Sequence, residues 1–123
     1  MLQISGSQLY YLYRPFADMR KSFDSLAGLV VTGMSKSPTC GEVFIFINRR
    51  RNQIKLLFWE GDGFSIYYKR LEKGTYEIPV PGPGTSSLYI TSSELRWMLE
   101  GVSLRSIKLR PRYRLPQKME KQI

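Results

Sequence analysis

The chain of 123 residues carries 19 Lys and Arg against 10 Asp and Glu, a formal net charge of +9, with 42% apolar and 13% aromatic residues. That length suits one domain able to bury a core without metal or disulfide, and the apolar content argues against a disordered chain. Histidine is absent and Cys40 is the single cysteine, which excludes an intrachain disulfide, a cysteine-based zinc site and His-dependent catalysis, and no cofactor is expected.

The opening residues, Met1 to Ser5, lack a basic segment followed by an apolar one. No apolar run approaches the length of a membrane span, so a cytoplasmic protein with no membrane partner is expected. Residues 9–13, Leu-Tyr-Tyr-Leu-Tyr, read as a strand that ends at Arg14-Pro15, because proline gives a ladder no donor. Residues 18–33 read as an amphipathic helix with Met19, Phe23, Leu26, Ala27 and Val30 on one face. Asp18 is its expected cap and Gly33 its expected stop.

Three strands are expected at 43–48, 53–59 and 64–70. Arg49-Arg50-Arg51-Asn52 and Glu60-Gly61-Asp62-Gly63 join them, both of tight-hairpin length, so the three form an antiparallel meander. The second strand is apolar on both faces, which predicts a central position with something packed on each side. Residues 75–79 read as a fourth strand and residues 88–90 as a short fifth. Thr91-Ser92-Ser93-Glu94 is a capping box opening a helix over 92–101. The expected architecture is α+β: an antiparallel β-meander of four to five strands packed with two helices, in one domain over 1–104. From Arg105 the chain turns basic, with seven Lys and Arg and one acid, Glu120. Interrupted by Pro111 and Pro116, it reads as a flexible C-terminal arm over 105–123.

The arm holds +6 of the net charge, leaving +3 for residues 1–104. A concentrated basic segment favours a polyanion, and nucleic acid is the commonest. Arg105, Lys108, Arg110, Arg112 and Arg114 are expected phosphate contacts, and Tyr113 between arginines suits stacking on an unpaired base. A meander also brings Lys69 and Arg70 back to the end of the sheet that holds Arg49, Arg50 and Arg51, with Lys55 close by. Glu60 and Asp62 mark the opposite end.

Metal-dependent phosphoryl transfer needs converging carboxylates. The acids here have ordinary roles as caps and turn residues, and no glycine-rich phosphate loop is present. The chain is therefore expected to be non-catalytic, with a small nuclease or recombinase as a minor alternative.

Asp18-Met19-Arg20-Lys21-Ser22-Phe23-Asp24-Ser25-Leu26 resembles the signature of the TnpB-type (Orf2-like) accessory proteins of the insertion-sequence-66 family. So do Val43 to Arg51, Ile54 to Gly63, Lys69 to Gly74 and Leu99-Glu100-Gly101. The likeness runs in order from about Tyr10 to Val102, with Ser25 where the family pattern has glycine and a looser stretch at Glu77-Ile78-Pro79. The resemblance implies a bacterial protein encoded beside a separate transposase and assisting transposition, and it carries over no catalytic residue.

The combined expectation is a non-catalytic, basic accessory protein of a transposable element that binds DNA through sequence-nonspecific phosphate contacts. The alternative is an adaptor for the transposase of the same element, anchored by Tyr10, Tyr11, Tyr13, Trp59 or Trp97. For those aromatics, packing in the core is the favoured role.

Overall fold

The structure, a computed structural model, describes residues 3–79 and 86–101. Its elements in chain order are β1 (Tyr10–Tyr13), α1 (Phe23–Met34), β2 (Val43–Ile47), β3 (Gln53–Trp59), β4 (Phe64–Arg70), β5 (Ser87–Ile90) and α2 (Ser92–Glu100). One five-stranded sheet has the order β4-β3-β2-β1-β5. The meander expected from the hairpin turns is present as β2-β3-β4, antiparallel throughout. β1 joins it in parallel, Tyr10 opposite Val43 and Leu12 opposite Ile45. The sheet is thus mixed, because a parallel pair needs a crossover and α1 supplies it. β5 closes the far edge antiparallel to β1, with Tyr11 opposite Tyr89.

Each face of the sheet carries its own core. Strand residues alternate between faces, so Val43, Ile45 and Ile47 of β2 pack with Ile54, Leu56, Tyr76, Leu95 and Met98, on the side of α2. Phe44 and Phe46 point the other way and pack with Leu57, Leu26, Val30 and Met34, on the side of α1. All five residues of β2 are buried, as a strand between two layers requires.

Three local expectations are corrected. The first helix begins at Phe23, not at 18. Asp18 accepts the backbone N–H of Arg20 at 2.9 Å, and its own carbonyl accepts the N–H of Lys21 at 3.0 Å. Residues 18–21 are therefore a tight turn of the kind an aspartate side chain favours. Ser22 is the cap, with extended backbone, and its N–H donates to Ser25 Oγ at 3.3 Å. The departure from glycine at Ser25 thus supplies a capping acceptor.

Gly33 does not stop the helix, which continues through Met34 and ends at Ser35 in the left-handed region. The glycine serves a close approach instead: a Cβ on it would lie 2.8 Å from Cε1 of Tyr13. Residues 75–79 do not form a strand. Tyr76 and Ile78 alternate inward against the α2-side core, which explains the strand-like pattern. The Tyr76 N–H goes to the Arg51 carbonyl at 2.6 Å, in the β2–β3 turn, and not to a ladder. The last helix ends at Glu100 with Gly101 as its left-handed cap. Its start is as expected, with Thr91 Oγ1 accepting the N–H of Glu94 at 3.1 Å.

Candidate nucleic-acid interface

The β2–β3 turn is built by Asn48, which is 9% exposed. Its Oδ1 accepts the N–H groups of Asn52 and Gln53, each at 3.0 Å, and its amide donates to Asn52 Oδ1 at 2.8 Å. Its carbonyl accepts the Arg51 N–H at 2.9 Å. The short side chain of asparagine bonds backbone two to five residues on and so holds the turn from inside. Arg49, Arg50 and Arg51 are all exposed on it. Arg51 sits at φ 59°, a left-handed conformation that glycine or asparagine adopts at lower cost. Among the described residues, no ion pair engages these three arginines.

The strand register brings Arg70 opposite Gln53 and Lys69 opposite Ile54, at this same end of the sheet. Arg70 is exposed and faces Glu72 at 3.2 Å. At the far end, Glu60 and Asp62 are exposed on the β3–β4 turn.

Lys55 is placed differently from the expectation. It lies on the α1 face of β3, is 6% exposed, and donates through Nζ to the carbonyls of Met19 at 2.9 Å and Lys21 at 2.7 Å. Its ammonium also lies 4.6 Å from the ring centroid of Tyr68, its cross-strand neighbour. Burial pulls its pKa below the ordinary lysine value. A lysine so engaged is unavailable to a phosphate. It ties the 18–21 turn to the sheet beside the arginine turn and is a support of that surface, not a contact on it.

That tie creates a groove that residue spacing alone did not reveal. An open depression is lined by Ala17, Asp18, Met19 and Arg20 of the 18–21 turn and its approach, by Asn48, Arg49 and Arg50 of the β2–β3 turn, and by Gln53 and Tyr68 of the strands. Arg20, read from sequence as the polar side of a helix, is a groove residue with a side chain 91% exposed. Its guanidinium holds Asp18 at 2.6 Å, and this hydrogen bond draws the Asp18 carboxyl down to about 2. Asp18 is the one carboxylate in the lining. Arg49 lies 5.3 Å from the ring centroid of Phe16. The groove is therefore cationic and aromatic. The signal that could have found Arg20 is the Asp18-Met19-Arg20-Lys21 motif itself.

The predicted contacts Arg105, Lys108, Arg110, Arg112, Tyr113 and Arg114 lie outside the described residues. Of the aromatics considered as adaptor anchors, Tyr10 is fully buried, and Tyr11 packs against Phe44 and Tyr89. Tyr13 packs against Phe46, Trp59 against Phe64, and Trp97 against the α2-side core.

Residues 8–109 match the family described as IS66 Orf2 like protein. The chain belongs to the IS66 Orf2-like family. It is 27% identical over 94 residues to an uncharacterized protein, y4jC, of Sinorhizobium fredii, covering 76% of this chain and 79% of that one. A second uncharacterized protein of the same organism, y4hO, is 31% identical over 88 residues, covering 72% and 75%. No solved structure matches. The matched span contains both motifs that form the groove, the 18–21 turn and the Asn48–Arg51 turn. Membership makes this IS66 Orf2-like chain an insertion-sequence-associated accessory protein. Among the described residues, no helix is long and apolar enough to cross a membrane.

Proposed function

We propose that the protein assists transposition as a non-catalytic DNA-binding component. It holds phosphates at the arginine end of its sheet through Arg49, Arg50, Arg51, Lys69 and Arg70. The observation that carries this reading is the Asn48-braced turn, which presents three consecutive exposed arginines beside the groove. The braced backbone fixes where the three arginines project, and arginine matches phosphate through paired N–H donors. The basic residues after Arg105 add contacts in the same proposal, and the net charge of +9 supports a polyanionic partner.

The test is titration of labelled duplex DNA at several salt concentrations. Binding should weaken steeply with salt, by a logarithmic slope of about 0.9 for each phosphate contact. Replacing Arg49, Arg50 and Arg51 together by alanine should lower both the affinity and the slope, and deleting residues 105–123 should do the same. Absence of binding at low salt, or binding indifferent to salt, rejects the proposal. Association with the transposase that survives nuclease treatment would instead favour the adaptor role.

A further inference from the structure

Six large hydrophobic side chains are exposed among the described residues; of these, Tyr68 at 51% lines the arginine groove, and Phe16 at 44% lies next to it, beside Ala17 in the chain and against Arg49 of the lining. Each ring has a cation against it. The Arg49 guanidinium lies 5.3 Å from the Phe16 centroid and the Lys55 ammonium 4.6 Å from that of Tyr68. The Tyr68 hydroxyl also donates to Gln53 Oε1, which fixes the ring's direction. Neither ring is spent on the core, and about half of each remains open to solvent.

We propose that this groove takes single-stranded DNA, with unpaired bases stacked on Phe16 and Tyr68 and the intervening phosphates held by Arg49 and Arg50. The proposal rests on the DNA-binding reading above and narrows its substrate. A duplex keeps its base faces stacked inside and offers this surface only phosphates, leaving two exposed rings without a function. A single strand offers base faces and phosphates in alternation. Oriented aromatic rings among arginines match that alternation, and stacking on them is tolerant of sequence because every base has a π face. Asp18, the groove's carboxylate, is already neutralised by Arg20 at 2.6 Å and does not repel a passing backbone.

The experiment compares the full-length chain binding an end-labelled oligothymidine of about 15 nucleotides with a duplex of the same length, at one fixed salt concentration. A third probe is the same single strand carrying abasic residues, which keeps every phosphate and loses the bases. The single strand should bind about 25- to 100-fold more tightly than the abasic strand, the product of two stacks, and more tightly than the duplex. Phe16→Leu and Tyr68→Leu keep apolar bulk but remove the ring face. Each should weaken single-strand binding by about five- to tenfold and change duplex binding by less than about twofold. Duplex binding equal to or tighter than single-strand binding overturns this proposal while sparing the general DNA-binding reading. So does an abasic strand that binds as well as the intact one, or leucine variants that weaken both forms alike. Failure of all three probes to bind overturns both.

Discussion

Replacing Lys55 by methionine tests whether the groove is held by one side chain. Lys55 Nζ donates to the carbonyls of Met19 and Lys21 at 2.9 and 2.7 Å from a site 6% exposed. Hydrogen bonds from a charged donor contribute about 1.5–3 kcal/mol each. Two opposing terms reduce the sum. Methionine relieves the cost of burying an ammonium, and the half-buried Met19 and Lys21 segment lets water reach the freed carbonyls. The net loss should be about 2–3 kcal/mol. With a urea slope of about 1–3 kcal/mol per molar, the midpoint falls by about 0.7–3 M. Hydrogen exchange should rise first at amides 18–22 and only later in β3, because the turn detaches before the sheet opens. Raising pH should not mimic the substitution. Burial lowers the Lys55 pKa, so between that lowered value and the ordinary 10.5 the unfolded chain binds more protons. This residue's contribution to stability therefore rises with pH across that window, and a neutral amine still has two hydrogens for the two carbonyls. An unchanged midpoint together with unchanged exchange at 18–22 would refute the tie.

Arg51→Gly relieves the left-handed backbone at φ 59° and should raise the urea midpoint by the equivalent of about 1 kcal/mol while weakening DNA binding. That split would identify an arginine retained at a cost to stability. Gly33→Ala gains about 1 kcal/mol of helix propensity but drives a methyl to 2.8 Å from the Tyr13 ring. Overpacking of about 1–3 kcal/mol should make thermal unfolding occur at lower temperature, and a Tyr13→Leu background should abolish the effect. Asp18 should titrate near 2 by carboxyl NMR because Arg20 hydrogen-bonds its charged form. Its pKa is lowered on folding from 3.8, so its contribution is present above that value and fades as pH falls through about 2. Arg20→Ala should return the midpoint towards 3.8.

Near-neighbour chemistry made much of this protein legible in its residues. The two short polar links between apolar runs set the β2-β3-β4 meander almost to the residue, because turn geometry and strand period are local properties. The Thr91 capping box set the start of α2 for the same reason. Arg49 to Arg51 and Lys69-Arg70 share one end because antiparallel pairing of consecutive strands permits no other arrangement. Tertiary contacts decided the rest. Nothing local says that β1 pairs in parallel with β2 across a crossover helix, or that Gly33 is small for the sake of Tyr13. Apolar periodicity extended the first helix back to residue 18, whereas Asp18, Arg20 and Lys55 hold that stretch as a turn. Lys55 itself looked like a surface cation, and it is buried by carbonyls 36 and 34 residues earlier in the chain. A lysine's environment depends on what folds over it, so only the assembled structure could turn two separate motifs into one groove.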